Sequence, residues 1–506
     1  MRPLLRLAAV TVLAMHVACG GGGGGGVAPP PDAQAPNIVF ILTDDQALAD
    51  LSVMPNVKAL LTDRGMSFGS HYVSLSLCCP SRVTGLRGQF AHNTGIYKNG
   101  APDGGFEGTY AKGLESSTIA TWLQAAGYRT ALFGKYLNGY PNTASKTYVP
   151  PGWTEWYSPN DGTPYKEYNY SLNENGSTVA YGSTDADYMT DVLSAKAADF
   201  ITRSVDQFPD KPFFAYIATY APHSPATPPT RYQDAFPGVQ APRTASWNEA
   251  DVSDKPGWVK ALPLLDDALI ADIDKLYRHR LQSLLAVDDL VKHIVDTLQA
   301  KGQMANTYIV FASDNGYHQG QHRLDSGKMT AFEEDLRVPL IVRGPGVPAG
   351  SAATLMTANV DYAPTFAELG AATAPSFVDG RSLVPLLKGQ TPASWRQVLL
   401  LEHKSDVPDG LWALDGTREP ADPFDLNGGA GINITSFTGL RTVAGHTYVE
   451  YDTSEFELYD NAADPGQLTN LYPSASTDLK SRLAARLAAL RTASGAGLRQ
   501  AEAVAP

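Results

Sequence analysis

The chain reads as an α/β protein, a sandwich in which helices cover a sheet. Three observations predict this. Short apolar runs at 37–42, 129–133, 212–219 and 307–312 have the continuous, β-branched and aromatic character of strands buried on both faces. Stretches with helical periodicity separate them. Each of the four runs passes directly into a polar cluster, and in open α/β sheets such clusters gather at one edge to make a site.

Length and composition set the frame. At 506 residues the chain exceeds a single simple core, so one large domain with a smaller companion is expected. Apolar content of 43% and charged content of 18% are ordinary for a globular protein. The formal charge of −13 argues against a general nucleic-acid binder, which needs a basic face. An anionic substrate would therefore have to be drawn in by a local basic cluster or a metal.

Taken in order, the chain opens with Arg2 and Arg6 before an apolar run at 7–17 that is too short to span a bilayer, as in a secretory signal. Val17 and Ala18 precede Cys19, and seven glycines follow at 20–26. This pattern is similar to a bacterial lipoprotein signal, in which Cys19 becomes a lipid anchor, although His16 stands where leucine is usual. The alternative is a plain secretory signal cleaved nearby. Either reading places the mature protein outside the cytoplasm, at the periplasm, the outer surface or beyond. The expected organisation is a signal at 1–19, a Gly/Pro-rich linker at 20–36, a catalytic domain at 37–400 and a C-terminal subdomain at 401–497. No later segment is long and apolar enough for a transmembrane helix.

The run 37–42 (NIVFIL) leads into Thr43, Asp44, Asp45 and Gln46. One acid could cap a helix, but two side by side repel each other unless a cation lies between them. An amphipathic helix at 54–65 then precedes LCCPSR at 77–82. With Cys19 assigned to processing, Cys78 and Cys79 have no third partner, and a bridge between neighbours would be strained. The pair is there either for reactivity, beside the permanent cation of Arg82, or as two small buried hydrophobes in a turn.

A helix at 117–126 and a strand at 129–133 come next, running into Gly134, Lys135, Tyr136, Leu137 and Asn138. Residues 141–182, rich in Pro, Gly, Asn and aromatics, read as a long ordered loop. A helix at 185–205 is followed by the strand 212–219, which ends in YAPHSP and presents His223 between prolines. The long helix 267–300 leads to the strand 307–312 and the cluster SDNGYH, which carries Asp314, Asn315 and His318. Lys328 sits in a glycine-flanked loop, and 338–346 (VPLIVRGPG) is a strand entering a turn. Antiparallel strands at 436–451 and a helix at 478–493 complete a small α+β subdomain. Asp44, Asp45, Asp314 and Asn315 are hard oxygen donors, suited to calcium or magnesium and not to zinc.

Together the stretches NIVFILTDDQ, CCPSR, GYRTALFGKYLNGY, APHSP, SDNGYHQG, RVPLIVRGPG and FELYDNAADPGQLTNL resemble the type I sulfatases of the alkaline phosphatase superfamily. The paired cysteines and GKYLN are most similar to N-acetylglucosamine-6-sulfatases and extracellular heparan sulfate endosulfatases. The resemblance implies an alkaline-phosphatase-like sandwich with a large mixed central sheet flanked by helices, plus the small C-terminal subdomain. It implies that a formylglycine-generating enzyme oxidises Cys78, the first residue of CxPSR, to formylglycine (3-oxoalanine), while Cys79 is left alone. The hydrated aldehyde has two hydroxyls on one carbon, one to attack sulfur and one to expel sulfate afterwards.

Also by resemblance, Asp44, Asp45, Asp314, Asn315 and the modified Cys78 bind one divalent cation, usually calcium, with magnesium the alternative. Arg82 positions the nucleophile, Lys135 contacts nucleophile or sulfate, and His223 and Lys328 contact sulfate and assist the leaving oxygen. Many relatives read GKWH, and their histidine serves as base in sulfate release; here Leu137 stands in that place. His92 in AHNTG is a candidate replacement, and His318 a candidate substrate contact or supporting residue. The implied substrate is a sulfated carbohydrate, with aryl sulfates as surrogates. A phosphonate or phosphodiester hydrolase of the same superfamily is the competing enzyme reading. A surface lipoprotein that binds sulfated glycans without turnover is the non-enzyme reading.

Overall fold

The continuous apolar run at 37–42 lies between the two layers that pack on the sheet. In the computed structural model, which describes residues 35–405 and 434–506, the strand Asn37–Thr43 is buried along its whole length. Ile38, Phe40 and Leu42 face a layer formed by the helices Cys78–Arg87, Ile119–Ala125 and Tyr362–Leu369. Val39 and Ile41 face the opposite layer, built on Met189–Gln207 and the long helix Asp267–Ala300. Apolar side chains on both faces are what make the run continuous rather than alternating. The expected signal, Cys19 and the expected linker up to residue 34 lie outside the described residues.

The central sheet has ten strands in the spatial order Ser351–Ala353, Met66–Phe68, Leu340–Arg343, Thr307–Ser313, Asn37–Thr43, Phe213–Ala218, Arg129–Gly134, Glu155–Gly162, Tyr170–Glu174, Ser177–Tyr181. Its middle is parallel: the Asn37 strand pairs in parallel with both the Phe213 and Thr307 strands, and the Arg129 strand with the Phe213 and Glu155 strands. Antiparallel pairing toward both edges makes the sheet mixed. The four strands expected to carry polar clusters are therefore adjacent and point the same way, so their C-terminal ends share one edge.

One expectation needs correction. Residues 141–182 are not a loop; they supply the strands Glu155–Gly162, Tyr170–Glu174 and Ser177–Tyr181. Their periodicity was hidden because Pro159, Asn160 and Asp161 are poor strand formers, and the register shifts between Pro159 and Asp161, where a bulge tolerates proline. Near the expected boundary at residue 400, the strand Val398–His403 is the first of a four-stranded antiparallel sheet packed on the helices Thr477–Leu490 and Gly495–Glu502. That last helix extends past 497, and a buried ion network explains why: Arg396 binds Asp361 at 2.6 Å and Glu502 at 2.9 Å. Among the described residues no helix is long and apolar enough to cross a membrane.

Glu167, in the turn between two of the unexpected strands, is fully buried, and its Oε2 accepts from the backbone N–H and hydroxyl of Thr190, each at 2.9 Å. Its Oε1 has no hydrogen-bond partner. Burial pushes its pKa up to about 7, against the Thr190 hydrogen bonds. A carboxyl raised in this way favours the fold in its neutral form, so its contribution is full below about pH 4.5 and is lost as pH rises through about 7. The loss is on the order of 3 kcal/mol at most. Melting curves from pH 5 to 8 should show the Tm advantage of Glu167→Gln over the parent growing with pH; parallel curves for the two proteins would refute this.

Candidate active site

Each strand end delivers one part of the site. Beyond Thr43 the chain turns at Asp45, whose φ of +67° is left-handed, so that Asp44 and Asp45 diverge from the strand toward the same point. The turn is fixed by the Asp45 N–H donating to Asp314 Oδ1 at 3.0 Å and the Gln46 N–H to Ser313 Oγ at 2.8 Å. Cys78 is the first residue of the helix Cys78–Arg87 and is completely buried. The helix N-terminus brings partial positive charge to this position. The neighbouring Cys79 N–H donates to Asn99 Oδ1 at 2.9 Å, while the Cys79 side chain lies in the apolar core under the sheet.

Around Cys78 Sγ lie Lys328 Nζ at 2.8 Å, Asp44 Oδ1 at 3.4 Å and Asp45 Oδ1 at 3.8 Å. Lys328 also binds Asp45 at 2.6 Å, and Lys135 binds Asp44 at 2.6 Å. Lys135 directly follows Gly134, whose φ is +100° and where a Cβ would stand 2.0 Å from the Ala218 carbonyl oxygen; only glycine lets the chain turn there. His223 Nδ1 pairs with the Ser224 carbonyl at 2.8 Å, and Nε2 approaches Asp45 Oδ2 at 3.5 Å. Arg82 joins the strands from below, donating from Nε to Asp314 at 2.9 Å and from Nη1 to the Lys135 carbonyl at 3.1 Å. It thereby ties Asp314 to the Lys135 segment, with Nη2 at 3.7 Å from Asp44.

The electrostatics follow from burial and charge. Burial pushes the Asp44 carboxyl up, but Lys135, His223, Arg82 and Lys328 together hold it well below the usual carboxylate range. Asp314 is raised to about 6, because burial and the two neighbouring aspartates outweigh Arg82. Burial, with Asp44 beside it, also pushes the Cys78 thiol well up. An unmodified thiol here is neutral and a poor nucleophile.

The donor set fits a divalent cation. Ligand atoms of Asp44, Asp45, Cys78 and His223 all lie within 4.8 Å of one another. Asn315, whose Nδ2 donates to Asp45 at 2.7 Å, keeps a buried Oδ1 without a partner, a free hard donor at the same place. A cation would also supply the positive charge that the raised Asp314 lacks.

Two histidines stand elsewhere. His92 pairs with Glu402 Oε1 at 3.1 Å and the Ala493 carbonyl at 2.9 Å, so both ring nitrogens are committed to holding the C-terminal segment. His318 pairs through Nδ1 with both oxygens of Asp335, at 2.9 and 3.0 Å, and touches the site through the Lys328 loop. Leu137 is buried in the apolar core, and no imidazole takes its place on the Lys135 segment. Sequence reading missed Tyr165, whose ring packs against His223 at 4.5 Å between centroids with the planes tilted by 50°, and lies 4.9 Å from Lys135 Nζ. The aromatic richness of 141–182 was the only signal for it.

A buried cysteine flanked by carboxylates and ringed by lysines, arginine and histidine is a cluster suited to holding an anionic ester. A sequence model of the family described as Sulfatase matches residues 36–372. Human N-acetylglucosamine-6-sulfatase is 36% identical over 480 residues, 91% of this chain and 85% of that protein. An arylsulfatase of Volvox carteri is 33% identical over 91% of this chain and 75% of its own length. The chain belongs to the sulfatase family, enzymes that hydrolyse sulfuric esters. A solved structure in complex with its substrate D-glucosamine-2-N,6-O-disulfate superposes with a TM-score of 0.72 at 24% identity, covering 90% of this chain and 97% of that one. The phosphonate monoester hydrolase of Agrobacterium radiobacter superposes at 0.66 with 23% identity, covering 88% and 93%. The fold is thus common to both chemistries.

Proposed function

We propose that this sulfatase removes sulfate from sulfated carbohydrate, with 6-O-sulfated N-acetylglucosamine as the favoured unit. The observation that carries the substrate class is the extent of similarity to N-acetylglucosamine-6-sulfatase, which spans 91% of this chain rather than the motifs alone. The residues act as follows. With Cys78 matured to formylglycine, position 78 supplies the geminal hydroxyls that attack sulfur and later expel sulfate. A divalent cation, calcium or magnesium, held by Asp44, Asp45, Asp314, Asn315 and position 78 supplies charge neutralisation at the sulfuryl oxygens. Lys135 and Lys328 hold the anionic group over position 78 through fixed ammonium charges in a water-poor pocket. His223, with Nδ1 committed to Ser224, offers Nε2 to carry a proton to the leaving oxygen. Arg82 keeps Asp314 and the Lys135 segment in register.

Export, and a lipid anchor at Cys19, belong to the same proposal and rest on the sequence pattern. Hydrolysis rates on N-acetylglucosamine-6-sulfate, an aryl sulfate and matched phosphonate or phosphodiester compounds test the assignment. The sulfated sugar is expected to give the highest kcat/KM. Phosphodiester turnover exceeding sulfate release would reverse the reading in favour of the phosphonate hydrolases.

A further inference from the structure

Lys328 is placed by a device that lies outside the reacting groups. The residue after it, Met329, has a φ of +80°, a conformation disfavoured for any side chain beyond glycine. Something must therefore hold the loop. On one side the Met329 N–H donates to the Ser76 carbonyl at 3.1 Å, and Ser76 Oγ to the Thr330 carbonyl at 3.2 Å. On the other side Thr330 donates twice to Asp335 Oδ2, from its N–H at 2.9 Å and its hydroxyl at 2.7 Å. The same carboxylate takes His318 Nδ1, and the His318 ring underlies the residue before Lys328: a two-residue antiparallel ladder pairs His318 with Gly327, where a Cβ would stand 3.0 Å from His318 Nε2.

The backbone of this carboxylate segment also anchors the metal-binding loop. The Gly316 N–H donates to the Asp335 carbonyl and the Tyr317 N–H to the Glu334 carbonyl, each at 2.9 Å. A Cβ at Gly316 would stand 2.0 Å from the Glu334 oxygen, so the approach needs glycine. Asp335 is thus the point at which the Asp314–Asn315 loop and the Lys328 loop are joined, and it is wholly buried.

We propose that Asp335, His318 and Thr330 form a positioning clamp that fixes the Lys328 ammonium relative to the carboxylates and position 78, with His318 acting through Lys328 and not on substrate. The clamp rests on the reading of Lys328 as a sulfate contact. It accounts for a buried histidine and carboxylate near the site that the proposed chemistry does not use.

Thr330→Val keeps the side-chain shape but removes the hydroxyl's bond to Asp335 and the acceptor of the Phe332 N–H at 3.2 Å. It should lower kcat on an aryl sulfate about 10-fold together with a lowered Tm, and Thr330→Ser, which keeps both bonds, should restore kcat to within about twofold and Tm with it. His318→Asn should fall with Thr330→Val. In a Lys328→Ala background Thr330→Val should change kcat less than about twofold, because the group being positioned is gone. Calorimetry with inorganic sulfate should show the same pattern in affinity. Losses that multiply in the Lys328→Ala background, or full turnover and sulfate affinity in Thr330→Val and His318→Asn, would overturn the clamp. Unchanged turnover and sulfate affinity in Lys328→Ala itself would instead overturn the reading of Lys328, and the clamp with it.

Discussion

Cys78→Ala is expected to lose sulfate release by on the order of 10⁴-fold or more, with the melting temperature nearly preserved. The nucleophile is removed outright, and what remains is an electrostatic cradle with nothing to attack sulfur. Stability should hold because Cys78 is small, sits at the first turn of its helix, and contributes only its Sγ contacts to Lys328, Asp44 and Asp45. Cys79→Ala should behave oppositely. Its side chain fills apolar core and its N–H bond to Asn99 is a backbone bond that any residue keeps, so a destabilisation of about 1 kcal/mol with near-normal turnover is expected. Peptide mass over residues 78–82 of the active enzyme should show an aldehyde at 78 and an intact thiol at 79. A fully active Cys78→Ala variant would end the nucleophile assignment.

The second large effect is expected from the carboxylates. Asp45→Asn should lower kcat by about 10³-fold and remove the response of the protein to divalent cations. Asp45 receives Lys328, Asn315 and the approach of His223, so its charge organises half of the site. In the parent, chelation should abolish turnover and lower Tm, and added calcium should restore both, since a ligand bound only by the folded state stabilises it. The Tm of Asp45→Asn should be indifferent to chelator and calcium alike. A parent enzyme fully active after exhaustive chelation would remove the cation from the reaction.

Much of this was legible in the sequence because function here is written at strand ends. Asp44, Asp45, Lys135, His223, Asp314 and Asn315 each follow an apolar run by a few residues, and parallel pairing of those runs brings the polar ends together. Cys78 and Lys328 were legible through CxPSR and the loop after SDNGYH. The strands at 155–181 were not, since proline, asparagine and a register shift break the period on which a strand reading depends.

The sequence by itself determined the fold class and which polar residues end the buried strands, the hard oxygen donors among them, because buried parallel strands and their polar termini leave a local pattern. Tertiary structure alone decided which groups His92, His223, His318 and Arg82 meet. His92 meets Glu402 across 310 positions, and Arg82 meets Asp314 across 232, pairings that no local periodicity encodes. The use of an imidazole or guanidinium depends on which acceptor packing brings within about 3 Å. Distance along the chain carries no information about that.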